Sequence, residues 1–235
     1  MLIKVVIFSL LAGSTVFLGA YTAYFFENRV HDKKLKETVI KYLVAFATGI
    51  MLSAISFVLV PEGMNNISII LSVFLFLSGG ISFYFLDKFI QHHKTNIPQI
   101  LAMLLDFIPE SIALGAVFAY DNKMGLLLSL FIAFQNFPES FNSYVEMDKN
   151  GFKAKNSLII FFVLSFVGLI FSLFGFFFLV EKPQITSSLM VFAAGGIMYL
   201  IFQDIAPLLN KKEKKPVSIG VNIGFVIGML GDALL

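Results

Sequence analysis

The sequence predicts an all-α membrane protein of eight transmembrane helices. Three observations carry that reading. Apolar residues make up 58% of the 235-residue chain and charged residues only 14%, where a soluble domain carries roughly 25% charged residues. The apolar residues fall in runs of the roughly 20 residues needed to cross a bilayer. Lys and Arg then cluster on alternate connections between those runs, the usual sign of membrane topology.

The spans are taken in chain order. The first, Ile3 to Phe25, is longer than the 7–15-residue apolar core of a signal peptide and is expected to be a retained helix. The second, Val39 to Val60, contains Phe46-Ala47-Thr48-Gly49-Ile50-Met51 and runs into Pro61 and Glu62. The third covers Ile67 to Phe89. The fourth and fifth, Ile97 to Tyr120 and Met124 to Val145, are joined by a very short connection near Asn122. The sixth, Leu158 to Val180, carries the run Phe176 to Phe178, expected to face lipid. The seventh, Ile185 to Leu209, contains Ala193-Ala194-Gly195-Gly196-Ile197-Met198 ahead of Gln203, Asp204 and Pro207. The eighth, Val217 to Leu235, holds Asp232. All eight form a single transmembrane domain over residues 1–235.

Fourteen of the 17 Lys and Arg residues lie in connections 1–2, 3–4, 5–6 and 7–8, or just inside helix 2. Only Lys4, Lys123 and Lys182 fall on the other side. The basic side is the cytoplasmic one, so both termini are expected on the non-cytoplasmic face of the plasma (inner) membrane. An odd number of helices would destroy this split. The small-residue segments of helices 2 and 7, each followed by a proline, point in opposite directions under this topology and suggest an inverted repeat of the kind found in transporters. Close packing of small residues is the competing explanation.

The chemistry concentrates in helices 4 and 5. One reads Asp106-Phe107-Ile108-Pro109-Glu110-Ser111, the other Gln135-Asn136-Phe137-Pro138-Glu139-Ser140. Polar residues four apart share a helix face, so Asp106 pairs with Glu110 and Gln135 with Glu139. Counted from Asn122, Glu110 lies 12 residues back, Asp106 16 back, Gln135 13 forward and Glu139 17 forward. An antiparallel hairpin therefore sets Glu110 against Gln135 and Asp106 against Glu139, about 18–25 Å from the connection, near the middle of the membrane. Each charge at that depth costs at least ~2.5–3.5 kcal/mol. No Lys or Arg shares the depth, so protons or a cation must offset three carboxylates. Pro109 and Pro138 also release the carbonyls of Leu105 and Phe134 from their helical partners. Carboxylate, amide and carbonyl oxygen together form a ligand set for a divalent cation.

These paired motifs resemble those of the ZIP (zinc- and iron-regulated transporter-like) family, whose fourth and fifth helices bind the transported metal through His-Asn-x-Pro-Glu-Gly or close variants. Weaker likenesses run along nearly the whole chain: Leu11-Ala12-Gly13, Val60-Pro61-Glu62, Ala194-Gly195 leading to Asp204 and Pro207, and Gly231-Asp232. The resemblance implies a ZIP-like bundle with helices 1–3 and 6–8 as the inverted repeat around helices 4 and 5. It implies a divalent metal (Zn, Fe or Mn) carried as substrate toward the cytoplasm, with no organic cofactor. The metal residues it implies are Asp106, Glu110, Gln135, Asn136 and Glu139, with Met51 near them. Gln203 and Asp204, with His92 and His93 in connection 3–4, would mark a release path. The chain departs from the family at Phe107, which stands for a ligand Asn, and at Gly168 in helix 6, where some members carry Glu. Both changes weaken any second, adjacent metal site. Ser111 and Ser140 stand for family glycines. No imidazole remains at the centre, which shifts the expected preference toward Mn²⁺ or Fe²⁺.

Other classes fit less well. Cys is absent, which removes thiolate chemistry, and no His-Glu-x-x-His occurs. An intramembrane aspartyl protease is suggested only by Tyr120-Asp121 and the Gly228 to Asp232 segment, with Asp121 in a loop. A membrane protein that binds or senses metal without conducting it is the other alternative. The expected partners are a divalent metal ion and membrane lipid, and not nucleic acid. Oligomeric state stays open, a homodimer included.

Overall fold

The computed structural model describes residues 1–92, 98–205 and 218–234, apart from the side chains of Gln91, His92, Pro98, Gln99, Asp204 and Ile205. Within them there are eight helical rods and no strand. They are α1 (Leu2–Arg29), α2 (Lys33–Met64), α3 (Ile69–His92), α4 (Pro98–Phe118), α5 (Asn122–Lys149), α6 (Ala154–Leu179), α7 (Pro183–Leu200, continuing through Ile201–Ile205) and α8 (Ile219–Leu234). Six of them, all but α5 and α8, are long and apolar enough to cross a membrane. α5 has the length, but its middle carries Gln135, Asn136, Glu139 and Ser140. α8 has 16 described residues.

The ends of the rods shift from their expected places for local reasons. Asp32 accepts from the backbone N–H groups of Lys34 (2.8 Å) and Leu35 (3.3 Å). This N-cap starts α2 six residues earlier than the apolar run alone suggests, and makes part of the Lys-rich connection helical. Lys36 donates to the carbonyl of Glu27 at 3.0 Å and pairs with its carboxylate, tying α2 back to α1. Asp121 caps α5 in the same way, through Lys123 N (2.8 Å) and Met124 N (3.1 Å). α6 is interrupted at Ser165 and Phe166.

Two rods change their winding. In α2 the stretch Ile55–Leu59 is a π-helix, and Val60 N–H bonds back to the Ile55 carbonyl, five residues earlier. In α7 the stretch Ile201–Ile205 is a π-helix as well. Each segment ends two residues before a proline, Pro61 or Pro207. A proline deprives the carbonyl four residues earlier of its donor, and a π turn is one way to re-route the bonds around that gap. By contrast, α4 and α5 pass through Pro109 and Pro138 as uninterrupted α-helix.

Glycines seal the packing. Between membrane helices the driving force is close contact rather than exclusion of water, so small residues mark the seams. On α1, a Cβ at Gly19 would run into the carbonyl of Phe137 and the hydroxyl of Ser140 on α5. Tyr24 meets Tyr144 further along, with ring centroids 6.4 Å apart. On α4, a Cβ at Gly115 would strike the Ser172 backbone of α6, and one at Gly175 of α6 would strike Ile112. Gly49 of α2 sits on Val221 of α8, and Gly224 of α8 on Phe46. Gly79 of α3 sits on Phe192 of α7, and Gly195 of α7 on Phe76. Contacts spaced further apart rise together along both helices: Lys4–Asn122 and Tyr24–Tyr144 for α1–α5, Phe107–Gly168 and Gly115–Ser172 for α4–α6, Ala45–Gly220 and Ser53–Gly228 for α2–α8, and Gly80–Gly195 and Asp87–Tyr199 for α3–α7, so all four are parallel pairs. α1 against α6 is antiparallel: Gly13 faces Ser165, while Phe17 meets Phe162 at 5.7 Å. Such pairings follow when successive helices alternate in direction. They enclose α4 and α5 at the centre.

The Gly115 seam gives a direct test. Gly115→Leu forces a side chain into the Ser172 backbone, which cannot swing away, and is expected to destabilise by about 1–3 kcal/mol. Gly80→Ala, whose Cβ would meet nothing closer than 3.4 Å, should stay within about 0.5 kcal/mol of the native chain. Thermal unfolding in detergent compares the two.

Candidate metal site between α4 and α5

The antiparallel hairpin brings Glu110 and Gln135 together in the register counted from the connection. The Gln135 amide Nε2 donates to Glu110 Oε2 at 2.5 Å, and both side chains are fully buried. Asp106 lies one turn away on α4, 1% exposed, with Oδ1 accepting from the Phe107 backbone N–H at 2.8 Å. Asn136 is also fully buried. Glu139 is half-buried as a residue, yet both of its carboxylate oxygens are sealed from solvent. Asp106 and Glu110 both lie within electrostatic range of it.

The hydrogen bonding of this layer is incomplete. Nine buried side-chain oxygens and nitrogens among the described residues lack a partner. Six of them belong to the layer: Glu110 Oε1, Gln135 Oε1, both polar atoms of the Asn136 amide, and both carboxylate oxygens of Glu139. Ser111 Oγ and Ser172 Oγ lie on the adjoining α4–α6 seam, and the ninth is Glu27 Oε1. A buried polar atom without a partner costs roughly 1–3 kcal/mol, more when charged. Five of the six atoms in the layer are oxygen acceptors, and what they lack is a positive or hydrogen-bearing group. Among the described residues no three His, Cys, Asp or Glu side chains gather into a metal-holding cluster. An ion here would therefore be held by carboxylates and amides together.

The surroundings of the layer are filled. Phe107 is fully buried, and its ring tip occupies the space that a Cβ on Gly168 would need, at 2.5 Å. The space between α4 and α6 at Gly168 is thus closed by an aromatic ring. Ser140 bonds back to the carbonyls of Asn136 (2.7 Å) and Phe137 (3.1 Å), a common arrangement for a hydroxyl in a membrane helix. Ser111 and Ser172 forgo that option. Nothing in the sequence singles out Ser172, since its place opposite α4 depends on the Gly115 seam.

The other expected residues spread out. Met51 is buried in α2 at 2% exposure, on a helix that packs against α5. Gln203 is exposed and lines a groove between α3 and α7. The backbone of Asp204 lies in the second π turn, and His92 ends α3. The side chains of Asp204 and His92, and all of His93, fall outside the described residues. Asp121 is engaged as a helix cap, and Asp232 is exposed on α8. Beside the α4–α5 connection, the Tyr120 phenol is pushed up to about 12, first by partial burial and then by the charges of Glu62 and Asp121. Glu62 accepts from the Asn65 amide at 3.2 Å.

The chain is similar to curated zinc transporters. It is 29% identical over 147 residues to the zinc transporter ZupT of Escherichia fergusonii, a match covering 61% of this chain and 50% of that protein. The zinc transporter ZupT of Shigella flexneri is 27% identical, and that of Salmonella newport 28%, over the same shares. The chain spans about half the length of the curated relatives it matches. No family model matches it. The resemblance read from the paired motifs of α4 and α5 agrees with these relatives.

The contact between Glu110 and Gln135 is testable alone. Gln135→Leu leaves a buried carboxylate without its donor and is expected to lower stability by about 1–3 kcal/mol. Changing both partners, Glu110→Leu with Gln135→Leu, should cost less than the sum of the single changes. Unfolding of the four proteins in a double-mutant cycle reads the coupling.

Proposed function

We propose that this chain is a ZIP-like transporter that carries a divalent metal cation across the membrane through the layer between α4 and α5. The observation that carries the proposal is the cluster of unpartnered acceptors on Glu110, Gln135, Asn136 and Glu139, buried at mid-chain in both central helices. With Asp106, they offer a dehydrated cation carboxylate and amide oxygen, and the cation offsets charges that no basic residue neutralises. The zinc transporters among the relatives support the class of cargo.

The bundle is proposed to be an inverted repeat. Exchanging α1 with α6, α2 with α7, α3 with α8 and α4 with α5 turns the α1–α5 pair into α6–α4 and the α2–α8 pair into α7–α3. Both images are parallel pairs sealed by glycine. The exchange also matches the π turn of α2 to that of α7, each two residues ahead of its proline. Under this reading both termini lie outside. The ion reaches the layer from the side of Glu62, with Met51 beside its path, and leaves toward the Lys-rich face where Gln203, Asp204, His92 and His93 stand.

The oxygen-only layer fits Mn²⁺ and Fe²⁺ better than an imidazole site would, since nitrogen ligands favour the later metals. Phe107 against Gly168 fits a single ion rather than an adjacent pair. A non-conducting metal sensor would share this geometry but move no ion.

Uptake into proteoliposomes decides among these. With Mn²⁺, Fe²⁺, Zn²⁺ and Cd²⁺ compared, the native protein is expected to take up at least Mn²⁺ or Fe²⁺, and Glu110→Ala with Glu139→Ala is expected to abolish uptake. Zinc transported alone would reverse the proposed preference. Metal binding by a folded protein with no flux of any ion would leave the sensor as the correct reading.

A further inference from the structure

On the outside of the bundle a groove of about 560 Å³ runs between α3 and α7. Its floor is Gly80 and Gly195, and its walls include Phe76 and Tyr84 from α3 with Met198 and Phe202 from α7. The seam beneath it is tight: Gly79 and Gly195 touch the opposite backbone, and the Phe83 ring fills the place of a Gly196 side chain. Gly80 is different. A Cβ there would meet only the Gly195 carbonyl, at an ordinary 3.4 Å. The missing side chain at Gly80 therefore leaves open space, where the missing side chains at Gly79 and Gly195 let backbones approach. Phe202 on the rim is 64% exposed, and in hydrocarbon such a trough presents its whole length to acyl chains.

One end of the groove is charged. Lys88 is exposed and lies one turn beyond Tyr84 on the same stripe of α3, with Nζ 5.9 Å from the Tyr84 ring. Its neighbour Asp87 turns to α7, where the Tyr199 hydroxyl donates to it at 3.1 Å. At this end Lys88 is exposed, while Asp87 is half-buried against Tyr199. Lys88 belongs to the Lys-rich set of connections, on the side where a membrane protein meets anionic headgroups. The axial rise from Tyr84 to Lys88 is about 6 Å, which sets the ammonium just past the apolar walls.

We propose that the α3–α7 groove is a binding site for one anionic phospholipid, with an acyl chain lying over Gly80 and the phosphate paired with Lys88. The site is separate from the metal layer and holds whether or not the chain transports an ion. The groove supplies shape for the chain, and Lys88 supplies selectivity for net negative charge.

Native mass spectrometry of the full chain released from nanodiscs of equal phosphatidylglycerol and phosphatidylcholine tests this. The native protein is expected to retain one lipid, enriched in phosphatidylglycerol. Lys88→Ala should cut that enrichment about fivefold, the equivalent of the ~1 kcal/mol that one Lys contributes at an anionic surface, while still retaining a lipid. Gly80→Leu should lose the retained lipid, and Gly80→Ala, with its small side chain, should keep it; circular-dichroism melting confirms that each variant is folded. Equal retention of phosphatidylglycerol by the native protein, Lys88→Ala and Gly80→Leu would overturn the site. So would a dimer of this chain that Gly80→Leu dissociates, because it would give the groove to a second copy.

Discussion

Among the described residues, three carboxylates stand in the centre of this bundle without a basic residue to meet them, and the rest of the structure is arranged around that constraint. Glu110 obtains one partner, the Gln135 amide at 2.5 Å, and Asp106 obtains the backbone N–H beside it. Five further acceptors of the layer obtain none. In low dielectric this is an unfavourable local state. It is tolerated because the surrounding helices fix α4 and α5 so firmly that the layer cannot collapse or turn toward lipid. On the proposed reading this deficit favours a cation, and packing elsewhere holds the layer in place.

That packing is made by absence of side chains. Gly19, Gly115 and Gly175 clamp the two central helices against α1 and α6, and Gly49, Gly224, Gly79 and Gly195 close the outer pairs. Each glycine brings backbone to backbone, and the dispersion contacts that follow replace a hydrophobic effect that lipid does not supply. Gly168 serves a different end, giving room to the Phe107 ring. The same type of residue thus holds the frame in several places and makes room for an aromatic ring in another.

Much of the centre was legible in the sequence because short-range geometry governs it. A tight connection capped by Asp121, together with uninterrupted α-helix through Pro109 and Pro138, lets residue counting place Glu110 opposite Gln135. The alternation of Lys and Arg was equally readable, and the parallel pairs agree with the alternating helix directions it implies. Other features were set by contacts distant in sequence. The interruption of α6 at Ser165 lies where Gly13 of α1 presses on the Ser165 carbonyl, and no local signal marks it. The early start of α2 follows from Asp32 capping a polar stretch that hydropathy reads as a connection. The orphan hydroxyl of Ser172 gains its meaning only from the helix opposite.

The π turns of α2 and α7 have a consequence for how the chain tolerates change. Each wraps one surplus residue into its helix, so the residues beyond it are out of phase with those before it by about 100°. A one-residue deletion within Ile55–Leu59 would restore regular winding while swinging Val60–Met64 around the axis, turning Glu62 away from Tyr120 while its local contact with Asn65 travels with it. Substitutions there are matters of local fit, but a change of length is a rotation of everything downstream. In these two stretches, residue number is under stricter constraint than residue identity.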